Sequence, residues 1–123
     1  MQYLAIAAGG ALGSLLRFWS STAMHRLLGQ SFPYGTLFVN VLGSLLMGIL
    51  YVLLTSRMEL AAPWRAFFLV GLLGAFTTFS TFSMDTLQLL EKGLWLRAVL
   101  NVFSNVVICI AAAWVGVLIG RVQ

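Results

Sequence analysis

The sequence predicts an all-α, multi-pass membrane protein with four transmembrane helices per chain, the third of them broken. Of its 123 residues, 61% are hydrophobic and only 8% are charged, and the mean hydropathy is +1.01. A soluble domain carries roughly 25% charged residues, so this composition excludes a separate soluble domain. Long apolar stretches predict a single membrane domain over 1–123, with spans at about 3–24, 36–55, 64–90 and 94–120.

The composition also narrows the classes of function. One cysteine (Cys109) and one histidine (His25) leave no basis for a zinc or iron site, and no group of residues supports an enzyme. The net charge of +4 comes from scattered basic residues near span ends, which favours lipid headgroups over nucleic acid as partners. Because the chain opens on apolar sequence without a basic leader, we expect a retained first span rather than a signal peptide.

The first span combines close-packing glycines with one charge. Gly9 and Gly13 form a GxxxG pair, which allows another helix to approach closely. Arg17 lies well inside the apolar stretch and has two readings. It extends to the membrane surface beside Trp19, or it is a cation at the mouth of an anion pathway, since charge within a membrane is costly and usually functional.

The second span carries an amide among apolar residues. Asn40 and Ser44 are four residues apart and share a helix face. Asn40 either satisfies backbone groups at a helix start or offers its two N–H donors to an anion. An amide in lipid needs partners, so its position favours a functional role.

The third span is interrupted by polar residues at depth. Residues 74–83 read GAFTTFSTFS, within an apolar segment that would measure ~40 Å as a helix against a hydrocarbon core of ~30 Å. Irregular backbone at that depth persists only when protein buries it or when it lines a wet cavity. We therefore predict a broken helix at the centre of a pore.

Polar residues follow the predicted break. Asp85 is one of three acidic residues in the chain, and it is either a solvated residue near the interface or part of a pathway. Asn101, Asn105 and Cys109 recur every four residues and line one stripe of the fourth span. Such stripes hold helices together more often than they conduct ions.

The basic residues give almost no orientation signal. Four spans place three basic side chains on each side of the membrane: Arg26, Lys92 and Arg97 on one, and Arg57, Arg65 and Arg121 on the other. Without a positive-inside bias the chain can insert both ways. Two opposed copies then form an antiparallel, dual-topology homodimer, whose in-plane two-fold axis resembles that of inverted-repeat transporters.

Two broken helices meeting at the midplane would offer groups to both cations and anions. Carbonyl oxygens around residues 74–78 suit a hard cation such as sodium. The hydroxyls of Ser80, Thr81 and Ser83 add donors for an anion. Phe79 and Phe82 can present the positive edges of their rings, although aromatic pairs at this spacing are usually core packing.

Residues 74–83 closely resemble the signature of the Fluc (CrcB-type) family of fluoride channels. Three other stretches agree with that family: residues 9–13 leading to Leu16 and Arg17, residues 35–37 with Val39 and Asn40, and residues 100–102. The resemblance covers essentially the whole chain in length, span order and motif spacing. The TTFSTFS core is the specific part.

The resemblance implies a fluoride-selective channel that exports fluoride passively across the bacterial cytoplasmic (inner) membrane, with two antiparallel pores per homodimer. It implies a structural sodium ion held by the backbone carbonyls of Gly74 and Thr77 from both subunits. It also implies a fluoride pathway along Arg17, Asn40, Phe79, Ser80, Thr81 and Phe82. Asp85 stands where the family carries glutamate, and Asp85, Ser83, Asn101 and Asn105 are further pathway candidates.

Two other functions remain open from the residues. A small dual-topology cation or drug transporter would need an acidic residue in its first span, where this chain has Arg17 instead. A non-conducting membrane assembly subunit would need only glycine-rich helices with serine and threonine. Measuring anion flux through purified protein separates the channel from both.

Overall fold

The computed structural model describes residues 1–57 and 61–122, and all regular structure in that part of the chain is helical. Its helices are α1 (Gln2–Leu28), α2 (Tyr34–Val52), α3 (Ala62–Arg65), α4 (Leu73–Phe76), α5 (Phe79–Glu91), α6 (Trp95–Phe103) and α7 (Cys109–Val122). Wider π-helical turns at Leu53–Arg57, Ala66–Leu72 and Ser104–Ile108 continue or join them. The predicted second loop falls partly outside the described residues, and Glu59 with it.

Because the π-helical turns keep the chain helical, the elements combine into long apolar segments. Within the described residues, Tyr34–Ser56, Ala62–Glu91 and Trp95–Val122 are long and apolar enough to cross a membrane. These match the second, third and fourth predicted spans and support an all-α membrane protein. The 27-residue α1 is not among these three segments, so the count of four spans stays a prediction.

Glycines end the helices on one side of the molecule. Gly29 follows α1 with φ +87°, and Gly93 lies just beyond α5 with φ +77°. Both values belong to the left-handed region, which only glycine enters without strain. The turns after α1 and α5 are short for this reason, and α2 and α6 begin at Tyr34 and Trp95.

Close glycine crossings set the distances between helices. A Cβ atom at Gly9 would lie 2.4 Å from the Phe67 carbonyl oxygen, and one at Gly13 would lie 2.2 Å from that of Leu72. The predicted GxxxG pair of α1 therefore does receive a helix, the first half of the third span. Such contacts let backbones meet where lipid provides no hydrophobic drive for association.

The pair α2 and α7 is fastened in the same way. A Cβ atom at Gly48 would lie 2.2 Å from the Ala113 carbonyl oxygen, and one at Gly116 would lie 2.2 Å from that of Leu45. The two helices pack along most of their length. Gly48 and Gly116 thus belong to an interface within the chain.

The predicted break in the third span is present, and it is narrower than the sequence indicated. Thr77 (φ −88°, ψ 161°) and Thr78 (φ −154°, ψ 119°) are extended, and the helix resumes at Phe79. The break lies halfway along the 30-residue segment Ala62–Glu91. Before it the chain packs against α1, and after it α5 packs against α6.

We predict that Gly116→Ala destabilises the protein by about 1–3 kcal/mol, because the new methyl group meets backbone that cannot move alone. Gly10→Ala is the matched control, since a Cβ atom at Gly10 meets nothing within 4 Å. Thermal unfolding of the purified protein in detergent measures both. Equal losses of Tm in the two variants would contradict the close crossing.

Candidate functional site

One amide side chain takes the place of helical hydrogen bonds at the break. The Thr78 N–H donates to Asn40 Oδ1 at 2.8 Å, and Asn40 Nδ2 donates to the Thr78 carbonyl at 3.1 Å. In a continuous α-helix this Thr78 N–H would donate to the Gly74 carbonyl four residues earlier. Asn40 therefore satisfies backbone groups, which was one of its two interpretations from the sequence. These groups lie at the break in the third span and not at the start of its own helix.

Thr78 in turn caps the helix that follows it. Its hydroxyl accepts from the Thr81 N–H at 3.1 Å and donates to the Thr81 hydroxyl, also at 3.1 Å. This is N-terminal capping by a threonine. The Thr81 N–H would otherwise donate to the Thr77 carbonyl, so the carbonyls of Gly74 and Thr77 both lose their usual helical donors. Gly74 is exposed, with only the Leu69 carbonyl within 4 Å of a Cβ built there.

A one-way chain of amide hydrogen bonds runs from Asn40 to α5. Asn40 Nδ2 donates to Asn105 Oδ1 at 3.0 Å, Asn105 Nδ2 to Asn101 Oδ1 at 3.0 Å, and Asn101 Nδ2 to Thr86 Oγ1 at 2.9 Å. The Thr86 hydroxyl donates to the Phe82 carbonyl at 2.8 Å. Asn101 is 0% and Asn105 6% exposed. The predicted stripe therefore holds helices together, and through Asn105 it also reaches the break.

The break opens onto a cavity of about 390 Å³ lined by Asn40, Asn105, Phe79 and Phe82. The two rings have centroids 5.3 Å apart and planes inclined at 61°, so one presents its edge to the other. They differ in exposure, since Phe79 is 76% exposed and Phe82 only 7%. Phe82 is part of the packed wall, whereas Phe79 is open to whatever lies beside the chain.

A second cavity of about 190 Å³ brings Arg17 to the same region. Arg17 lines it together with Thr36, Thr78 and Thr81. Arg17 of α1 thus shares a cavity with the first turn of α5. The sequence placed Arg17 in the membrane, and the fold places it near the break.

Asp85 lies further along α5. It accepts a hydrogen bond from the Thr36 hydroxyl at 2.7 Å, and it lines a cavity of about 320 Å³ with His25, Gln88 and Lys92. Since Thr36 is 4% exposed, Asp85 has a fixed protein partner. No role was predicted for Thr36 from the sequence, although it lies in residues 35–37, one of the stretches that agree with the family.

The remaining candidates are Ser80 and Ser83, which are exposed near the start of α5, and Thr77, which is half-buried just before it. Ser83 donates to the Phe79 carbonyl at 3.0 Å, so its proton is used within the helix. The Ser80 and Thr78 hydroxyl oxygens are 3.4 Å apart. The Thr77 hydroxyl donates to the Leu73 carbonyl at 3.1 Å. Among the described residues, no group of three or more histidine, cysteine or acidic side chains could hold a metal ion.

Residues 4–117 match the family described as "CrcB-like protein, Camphor Resistance (CrcB)". The chain is 48% identical over 121 residues to a protein of Magnetococcus marinus named "Fluoride-specific ion channel FluC", with 98% of each chain covered. A protein of the same name from Pseudoalteromonas translucida is 56% identical over 111 residues, covering 90% of this chain and 92% of that one. Another, from Methylococcus capsulatus, is 55% identical over 121 residues; this chain spans about half of its length, 53%, with 98% of this chain aligned. These matches confirm the resemblance seen in residues 74–83, and the chain belongs to the CrcB-like family.

Proposed function

We propose that this chain is a fluoride-selective channel that exports fluoride passively across the bacterial cytoplasmic membrane. The observation that carries the proposal is the mid-span break held open by Asn40, with α5 starting directly beside a cavity. The names of the relatives supply the identity of the ion. Those relatives are channels by name, which agrees with the expectation that the chain is not an enzyme.

The start of α5 supports anion binding. A helix N-terminus carries a partial positive charge and several N–H groups without helical partners. Thr78 caps the Thr81 N–H, while Phe79 and Ser80 occupy the first two helical positions. An anion at mid-membrane would meet this end of α5 together with the Ser80 and Thr81 hydroxyls.

Phe79 and Phe82 suit an ion that must leave as readily as it enters. Taking bare fluoride into a medium of low dielectric constant costs on the order of tens of kcal/mol, so polar groups have to replace its water. Ring edges are weakly positive and bind an anion without a strong trap. Conduction requires such weak, successive sites.

We place Arg17 and Asp85 along the route that we assign to the anion, Arg17 beside the break and Asp85 further along α5. Arg17 shares a cavity with Thr81, which places a cation beside the start of α5. Asp85 lies four residues after Thr81 and lines the 320 Å³ cavity together with Lys92. Ser83 is exposed on the same helix. An interior-negative potential contributes ~2.3 kcal/mol per charge per 100 mV toward expelling an anion.

We further propose that two chains assemble as an antiparallel homodimer with two pores. In a single chain Ser80, Thr81 and Ser83 are exposed on a helix that begins at mid-span. Polar groups at that depth require protein or water around them. A second copy placed against this surface would surround these groups with protein and enclose a water-filled space beside them.

A sodium ion fits the carbonyls that the break releases. Gly74 and Thr77 have lost their helical donors to Asn40 and Thr78, and Gly74 is open on the side of its missing side chain. Carbonyl oxygens from both copies would hold the ion. Bound there, it would supply a fixed positive charge that lowers the cost of an anion nearby.

The charge distribution supports insertion in both orientations. His25 and Lys92 line one cavity, and Arg97 donates to the Ser31 carbonyl at 3.3 Å, so the ends of α1 and α5 and the start of α6 lie together. This end of the molecule carries Arg26, Lys92 and Arg97. By the order of the spans, the opposite end carries Arg57, Arg65 and Arg121.

We predict fluoride flux from liposomes containing the purified protein, with far less chloride flux, and a loss of about tenfold or more in Phe82→Ile. The variant removes a ring edge from the cavity wall, and ~1.4 kcal/mol of lost ion stabilisation corresponds to tenfold in rate. An ion-selective electrode measures the flux.

Phe103→Ile is the matched control for this change, because Phe103 is an exposed phenylalanine on α6 outside the cavities described above. It should conduct like the wild type. Normal flux through Phe82→Ile would refute the role of its ring. No flux through the wild type would instead favour a non-conducting assembly subunit.

We also predict that a C-terminal tag is found on both sides of the membrane, in roughly equal amounts, because the basic residues are balanced. Protease protection of the tag in intact cells and inverted vesicles measures the two populations. The double variant Arg26→Gln, Arg97→Gln leaves a clear excess at one end, so most chains should adopt one orientation. A single orientation in the wild type would count against the antiparallel dimer.

A further inference from the structure

The two N–H donors of Asn40 are held unequally. One donates to the Thr78 carbonyl, and the same amide accepts the Thr78 N–H, so two hydrogen bonds tie Asn40 to one residue. The other donates to Asn105 Oδ1 through a single bond of 3.0 Å. Of the two contacts, the one with Asn105 can be exchanged without reopening the backbone of the break.

Asn105 is placed where such an exchange would occur. Asn40 and Asn105 both line the 390 Å³ cavity, together with the Phe79 and Phe82 rings. Asn105 also lies in the π-helical turn Ser104–Ile108, and π-helical turns within longer helices are frequent at functional sites. An anion in this cavity therefore approaches the donor that Asn105 occupies.

We propose that Asn105 sets the affinity of the pathway by competing with the transported anion for one N–H of Asn40. This inference rests on the proposed function. When the anion enters, Asn40 gives that N–H to the anion and Asn105 Oδ1 loses its donor. When the anion leaves, the hydrogen bond between the two amides forms again.

This competition weakens anion binding, because the anion and Asn105 use the same N–H donor of Asn40. A buried oxygen left without a donor raises the free energy of the occupied state, so the anion is released more readily. Asn101 keeps Asn105 in place, because Asn105 Nδ2 donates to both the side-chain oxygen and the carbonyl of Asn101. Asn101 is thus a positioning residue for the competing oxygen.

The test compares three substitutions of Asn105 that all remove its donor to Asn101 but differ in the acceptor facing Asn40. Asn105→Leu and Asn105→Ala have no acceptor, the first with similar branching and the second with less volume. Asn105→Asp keeps one. The measurement is fluoride flux from liposomes as a function of fluoride concentration, which yields the half-saturating concentration and the maximal rate.

We expect Asn105→Leu and Asn105→Ala to lower the half-saturating fluoride concentration by about threefold, the size of one interhelical hydrogen bond in a membrane protein. The maximal rate should fall as release slows. Asn105→Asp should raise the half-saturating concentration. Val107→Leu, an exposed position two residues further on, should match the wild type.

A merely structural role for Asn105 would lower the maximal rate and leave the half-saturating concentration of Asn105→Leu and Asn105→Ala unchanged. That result would overturn the proposal, and Asn105→Ala keeps the test decisive if the leucine variant does not fold. Asn105→Asp would raise the half-saturating concentration in either case, because its carboxylate repels fluoride. If the wild type conducts fluoride but Asn105→Leu and Asn105→Ala keep its half-saturating concentration, the role of Asn105 is refuted and the proposed function stands. Absence of wild-type flux would refute the proposed function and this inference together.

Discussion

The structure depends on how an interrupted backbone is satisfied halfway through a membrane span. Each unpaired peptide group in hydrocarbon costs several kcal/mol, which normally forbids such a break. Here Asn40 accepts the Thr78 N–H and donates to the Thr78 carbonyl, and the Thr78 hydroxyl caps Thr81. Side chains from α2 and from the break itself thus replace the helical hydrogen bonds that the extended residues forgo.

The side chains replace hydrogen-bond acceptors for the N–H groups at the break, but they do not replace the donors to two carbonyls. The N–H groups of Thr78 and Thr81 are taken by side-chain oxygens, so the carbonyls of Gly74 and Thr77 lose their helical donors. The start of α5, which is the positive end of its helix dipole, lies beside the cavity with the two rings. One break therefore leaves two carbonyls without their helical donors and a helix N-terminus a few residues apart, and the proposed sodium and fluoride sites depend on these two features.

The sequence predicted an all-α membrane protein and a break in its third apolar segment, because apolar length and composition decide these locally. It placed the break too broadly, since Ser80 and Ser83 turned out to be helical. The alternatives for Asn40 were not separable from the sequence alone. Its partners lie 38 and 65 residues away, and only the packing of α2 against α7 brings Asn105 to it.

The glycine contacts constrain where a second copy can bind. Gly9 and Gly13 already receive the third span, and Gly48 and Gly116 already lie against partner backbone within the chain. These seams are therefore not open to a second chain. The exposed polar start of α5 and the exposed Gly74 are surfaces beside the break that still need cover at membrane depth. A dimer built there would join two breaks rather than two glycine seams, so the same contacts that close the interface would complete the ion sites.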